Sequence, residues 1–182
     1  MALTKTPVCD FGKKAEDFKL KSIENKIISL NDVKGEKATL IMFICNHCPY
    51  VKAIIRDLAK DCNELKKDGI NSVAIMSNDT ENYPEDSFDN MIKFAKANDF
   101  GEINYLIDET QEIARKYGAV CTPDFFGYNK DLKLQYRGRF RELKDLKPVS
   151  GGESDLKIAM KMISVTQAGP KEQSPSVGCN IK

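Results

Sequence analysis

Thr39-Leu40-Ile41-Met42-Phe43-Ile44 is a continuous run rich in β-formers that ends directly on Cys45-Asn46-His47-Cys48-Pro49. Such a run suits a central strand buried on both faces, which needs a sheet with cover on either side. From Pro49 the period changes. Val51, Ile54, Ile55, Leu58, Cys62 and Leu65 recur at threes and fours, with Lys52, Arg56, Asp57, Lys60, Asp61 and Glu64 between them. This is one apolar stripe on a helix over 49–67. The two cysteines therefore stand where a strand hands over to a helix.

Cys45 and Cys48 lie one helical turn apart, with the only histidine, His47, between them. That pattern reads as a dithiol/disulfide switch. Unpaired N–H groups and the positive end of the helix dipole stabilise a thiolate at this junction, and a protonated His47 adds to the effect. Cys45, the first and more exposed thiol, is the expected nucleophile, and Cys48 is expected to resolve the mixed disulfide. Structural zinc would need further ligands, but there is no second CxxC pair and no second histidine, so no metal is expected. A copper-handling variant is disfavoured by the same shortage. A pair of buried core cysteines fits poorly with Asn46-His47 between them. His47 has a plainer alternative as a solvent-facing residue that merely starts the helix.

At 182 residues, 41% hydrophobic and 30% charged, the chain can bury one full core. The net charge of +1, without a long basic run, supplies no electrostatic footprint for nucleic acid. Residues 1–7 lack the apolar core of a signal peptide, and no stretch is long enough to span a membrane. The expected compartment is the cytoplasm, where six cysteines are free, redox-active or metal-bound rather than structural disulfides. Nothing in the composition sets an oligomeric state.

Further along, strands are expected at 71–77 and 103–107, with a polar loop through Asn78 to Pro84. Ser87 can cap a helix whose apolar positions are Phe88, Met91, Ile92 and Ala95. A helix over 110–117 closes on Gly118, with Asp108-Glu109 stabilising its start. Segments 124–128 and 132–136 flank Asn129-Lys130-Asp131, a hairpin signal. A last amphipathic helix spans 154–165. Gly169-Pro170 and Ser174-Pro175 break regular structure after it, leaving a single domain over 1–165 and a C-terminal tail over 166–182.

These segments resemble the peroxiredoxin-like branch of the alkyl hydroperoxide reductase/thiol-specific antioxidant superfamily that carries a CxxC. The likeness rests on residues 12–20, on Phe43 to Lys52, on Cys121-Thr122-Pro123-Asp124-Phe125-Phe126, and on Val177-Gly178-Cys179-Asn180-Ile181-Lys182. It implies an α/β thioredoxin fold, a mixed central β-sheet flanked by helices, with an N-terminal β extension and the tail. It also implies a thiol-disulfide oxidoreductase that works through Cys45 and Cys48 without a cofactor, on a disulfide or peroxide substrate. An external dithiol reductant, such as a thioredoxin or glutathione system, would regenerate it. Read alone, Thr122-Pro123 is equally a trans turn before a strand. The resemblance implies a cis bond lying against the dithiol, with Thr122 and Pro123 holding the substrate backbone. Two other readings stay open: a thiol peroxidase, and a non-enzymatic redox-sensing or metal-handling module.

The chain departs from its relatives in places. Thr39 stands where thioredoxins carry a buried acid, six residues before the first cysteine. Aligning Cys48 with a peroxidatic cysteine puts Cys45 and Ile41 at the usual threonine and proline positions. His47 is similar to the histidine before the second cysteine in strongly oxidising bacterial disulfide oxidases, with Asn46 in place of their proline. This implies an acidified Cys45 and a couple more oxidising than thioredoxin.

Cys62 lies about 21 Å along the helix from Cys48 and is expected in the core. Cys9 has no assignable role. Cys121 and Cys179 are possible auxiliary thiols. Packing is favoured for Cys121, and Cys179 either reaches back from the tail, pairs with another subunit, or simply docks. Arg137, Arg139 and Arg141 read as a solvated strand end.

Overall fold

The computed structural model describes residues 2–182, so residue 1 of the expected domain lies outside the described residues. The first half of the chain forms β1 (Leu3–Lys5), β2 (Lys19–Ser22), β3 (Ile27–Ser29), α1 (Leu30–Val33), β4 (Ala38–Phe43), α2 (Pro49–Lys52), α3 (Ile55–Lys66) and β5 (Ile70–Met76). After a 3-10 turn at Pro84–Asp86 come α4 (Phe88–Ala97), β6 (Asn104–Ile107), α5 (Glu112–Tyr117), β7 (Cys121–Thr122), β8 (Asp124–Asn129) and β9 (Leu134–Tyr136). The chain continues through β10 (Leu143–Lys144), β11 (Lys147–Pro148), α6 (Asp155–Thr166) and β12 (Val177–Asn180).

The main sheet has the order β3-β2-β6-β5-β4-β8-β9. β4 runs parallel to β5 and antiparallel to β8. All six of its residues are buried, as its composition requires. Alternate side chains enter two cores. Leu40, Met42 and Ile44 pack with Leu58, Leu65, Met160 and Ile163 on one face. Ile41 and Phe43 pack with Ile113, Tyr117 and Phe126 on the other. This is the mixed sheet covered by helices that a thioredoxin fold requires.

The helix expected over 49–67 is broken. The Ile54 N–H donates to Val51 O, and regular bonding resumes when Leu58 N–H donates to Ile54 O. Ile54 and Ile55 both stay buried through that tightened turn. Caps elsewhere follow the sequence. Ser87 Oγ accepts from Asn90 N–H, Ser154 Oγ accepts from Lys157 N–H, and Gly118 ends α5 at φ 68°. The buried Asp108 carboxylate accepts the N–H groups of Ile113 and Ala114 and the Ser77 hydroxyl, which starts α5. Asn129 Oδ1 accepts from Asp131 N–H and Lys133 N–H and closes the β8–β9 hairpin.

The tail docks on the body, one of the courses left open for it. β12 inserts antiparallel between β1 and β7 in a second, three-stranded sheet. Ser176 and Thr6 exchange hydrogen bonds, and Ser176 Oγ donates to Pro123 O at 2.8 Å. Lys182 N–H donates to Asn78 Oδ1. The polar groups of 174–182 are thus satisfied by the body, which is why breaking residues at 169–175 do not leave this segment detached. Among the described residues no helix is long and apolar enough to cross a membrane.

Candidate dithiol site

β4 ends at Phe43 and delivers Cys45 and Cys48 to the start of α2, where Cys48 is the N-cap and Pro49 fills the first helical position. The peptide bond between Thr122 and Pro123 is cis, and Thr122 faces both sulfurs. Its hydroxyl lies 3.5 Å from Cys45 Sγ, and its carbonyl oxygen lies 3.2 Å from Cys48 Sγ. The sequence-derived site residues Cys45, His47, Cys48, Thr122 and Pro123 are therefore gathered in one place, as is Cys179, whose Sγ lies 3.2 Å from Cys48 Sγ.

The exposure expected of Cys45 is not met. Cys45 is 1% exposed and Cys48 0%, because Asn46 and His47 turn back onto the 3-10 turn. Asn46 N–H donates to Asp86 Oδ1 at 2.7 Å, its side-chain amide donates to Glu85 O, and its Oδ1 accepts from the Tyr105 hydroxyl at 2.8 Å. His47 Nδ1 lies 2.6 Å from Asp86 Oδ2, and its ring stacks on Tyr83 with 5.6 Å between centroids. The His47 side chain is only 16% exposed, so it is not a free surface residue. Asp86 is fully buried and also accepts from Asn78 Nδ2.

These contacts divide the two thiols. The Cys45 thiol is raised far above its ordinary range, by its hydrogen bond to Cys48 first, then by burial, then by the Asp86 carboxylate. The Cys48 thiol is lowered, by the Cys45 hydrogen bond first, with further help from the Val51 N–H, Cys179 and Thr122 and against its burial. The hydrogen bond between the sulfurs favours the proton on Cys45 and the charge on Cys48. The acidified sulfur is Cys48, not the Cys45 expected from the oxidase likeness, first because Cys45 donates the hydrogen bond between the two sulfurs, with burial and the Asp86 carboxylate adding to the rise of Cys45. The Thr122 carbonyl oxygen lies on the other side of the Cys48 sulfur. It accepts the S–H whenever Cys48 is protonated.

A family model described as the AhpC/TSA family matches residues 11–137. The chain belongs to the AhpC/TSA family. An uncharacterized conserved protein from Geobacillus kaustophilus is 39% identical over 100% of this chain and 96% of its own, with a TM-score of 0.94. The hypothetical protein SMc02350 from Sinorhizobium meliloti 1021 is 35% identical over 98% and 97%, with a TM-score of 0.90. The thioredoxin domain of thiol-disulfide oxidoreductase BVU-2223 from Bacteroides vulgatus shares the fold at 18% identity and a TM-score of 0.59, over 70% of this chain and 86% of its own. No curated protein matches the chain.

This AhpC/TSA member keeps the backbone edge of Thr122 closed. Thr122 pairs with Cys179 of β12, so a substrate chain cannot pair there while β12 is in place. A cavity of about 310 Å³ adjoins the cis-proline, lined by Tyr50, Ile54, Pro123, Phe140, Arg141 and Val177. The larger cavity, about 760 Å³, lies away from the sulfurs along Phe18, Leu20, Ile107 and Ile113. Thr39, at the position of the missing thioredoxin acid, instead accepts the Gly35 N–H at 2.9 Å.

Of the remaining cysteines, Cys62 is in the core, where burial pushes its thiol up to about 12. Cys121 is buried, its thiol raised chiefly by burial, and donates to Pro123 O. Cys9 is half-buried and is pushed up to about 11 for the same reason. Arg137 is no solvated strand end. It is 8% exposed and forks onto the buried Asp124 at 3.0 and 2.9 Å. Arg139 pairs with Asp155. Sequence reasoning missed Asp86, which lies 38 or more residues from Cys45 and Cys48, and the pairing of Asp124 with Arg137. The one signal was the Asn46-His47 pair, two polar groups that demand partners once buried.

Proposed function

We propose that the protein is a cytoplasmic thiol-disulfide oxidoreductase that cycles Cys45 and Cys48 between dithiol and disulfide, with a low-molecular-weight disulfide as substrate. The observation that carries this is the pairing of a raised and a lowered thiol against Thr122 of the cis Thr122-Pro123 bond. The cytoplasm is inferred from cysteine usage.

In the cycle, Cys45 attacks one substrate sulfur as its proton passes to the His47–Asp86 pair; one atom of each of the three lies within 4.8 Å of the others. The leaving thiolate collects that proton. Cys48, already the ionised partner, attacks Cys45 Sγ, closes the Cys45–Cys48 disulfide and releases the second thiolate, which is protonated from water. An external dithiol of the thioredoxin or glutathione type reopens the bond. A small substrate is favoured because β12 covers the Thr122 edge and both thiols are buried.

The test is the rate at which reduced protein loses the Cys45 and Cys48 thiols to oxidised glutathione at pH 7, beside free cysteine. The expected rate is on the order of tenfold above free cysteine, because the His47–Asp86 pair takes the Cys45 proton as it attacks and the ionised Cys48 then closes the disulfide. A rate at or below free cysteine overturns the reading. The same burial and the lowered Cys48 thiol favour thiol peroxidase as a second reading, with sulfenic acid formed on Cys48 and displaced by Cys45. Faster thiol loss to hydrogen peroxide than to the disulfide would put that reading first.

A further inference from the structure

β12 lies on the backbone edge of Thr122 in antiparallel register, with Cys179 opposite Thr122 on one side and Leu3 on the other. A substrate strand paired to the cis-proline loop would occupy this same edge. The fit is close. A Cβ on Gly178 would sit 2.0 Å from Thr122 O, so only glycine lets β12 approach this far. The result is a sulfur atom 3.2 Å from Cys48 Sγ, held by two ladders and buried at 2% exposure. Closing that gap to the bond length of about 2.05 Å needs little more than side-chain adjustment.

We propose that Cys179 is a third redox-active thiol of the site, which takes the disulfide from Cys45–Cys48 and carries it as Cys48–Cys179 on β12. This deepens the proposed function and rests on its Cys45–Cys48 disulfide. In the step, Cys179 sulfur attacks Cys48 Sγ. The Cys48–Cys179 bond forms, the Cys45–Cys48 bond breaks, and Cys45 departs as a thiolate that takes up the proton Cys179 gives up. The exchange is electron-neutral and needs no outside oxidant. In the reduced protein the Cys179 thiol is pushed up to about 12, by burial first and then by Cys48. Tying Cys48 into a disulfide removes the second cause, so Cys179 ionises more readily at the stage when it must attack.

The experiment treats the fully reduced full-length protein with one equivalent of dipyridyl disulfide, alkylates remaining thiols, and maps disulfides in a non-reducing digest. The wild type should contain both Cys45–Cys48 and Cys48–Cys179 peptides. Cys45→Ser should convert nearly all molecules to Cys48–Cys179, and Gly178→Ala in that background should replace this bond with pyridyl mixed disulfide. Wild type with only Cys45–Cys48, together with an alkylated Cys179 in Cys45→Ser, overturns the proposal whether or not oxidised glutathione is reduced. Cys48–Cys179 peptides in a protein that fails to react with oxidised glutathione support the third thiol and remove the proposed function instead.

Discussion

Asp86 and Asp124 are both fully buried carboxylates, one beside Cys45 and the other following the cis-proline Pro123, and they differ in what holds them. Asp124 stands behind the cis-proline, gripped at both oxygens by Arg137, which also donates to Gly118 O and lies 4.2 Å over the Phe126 ring. Asp124 Oδ2 also accepts the Val120 N–H, so the pair clamps the 118–124 loop. The planar guanidinium matches both carboxylate oxygens, which makes this a bidentate ion pair. Burial still raises the Asp124 carboxyl, with Arg137 opposing it. Asp86 is held instead by the His47 ring, the Asn78 side-chain amide and the Asn46 backbone N–H, with no guanidinium among these partners. Equal burial therefore yields an ion-pair clamp on the loop around the cis-proline and a hydrogen-bonded His47–Asp86 contact beside Cys45.

The largest effect expected from breaking this contrast is on the clamp. Asp124→Ala leaves the Arg137 guanidinium buried without a counter-charge and should cost about 3–5 kcal/mol of stability in urea unfolding. Asp86→Asn keeps most hydrogen bonds and should cost about 1 kcal/mol. Equal losses for the two variants would erase the distinction. The same Asp86→Asn protein sharpens it from the other direction, since removing the negative neighbour should lower the pH at which Cys45 becomes alkylated. An unchanged alkylation profile would remove Asp86 as a cause of the raised Cys45 thiol.

The pH dependence of the reduced protein separates the sulfurs. A thiol lowered in the folded state contributes stability that is fully present above its unfolded value and lost as pH falls. For Cys48 the window runs from 9.0 down to about 4. Reduced wild type should therefore lose stability relative to Cys48→Ser across this range, by at most about 1.4 kcal/mol per pH unit. The raised Cys45 thiol acts in the opposite sense, above pH 9. A flat difference between pH 9 and 5 would mean that Cys48 is not ionised in the fold. The smallest change expected is at the edge of the clamp. Gly118 sits at φ 68° with nothing near its α-carbon to obstruct a methyl group, so Gly118→Ala should cost about 1 kcal/mol of backbone strain and no dithiol reactivity.

Local pattern was enough for much of the molecule. The apolar run at 39–44, the helical period after Pro49, the Ser87 cap and the Gly118 stop depend on interactions within a few residues, so the order of strands and helices and the strand-to-helix seat of Cys45 and Cys48 were legible in the chain. Only the tertiary structure decided which thiol is acidic, because that depends first on the hydrogen bond between the two sulfurs, then on burial and on Asp86, 41 residues beyond Cys45 in the chain, none of which spacing alone assigns. It also turned Arg137 from an expected surface residue into the partner of Asp124, and brought Cys179 from a segment of breaking residues to 3.2 Å from Cys48. Caps, turns and periodicity are local and survive in sequence. Charge pairing and strand insertion are not, since they join residues whose separation along the chain carries no information about their distance in the fold.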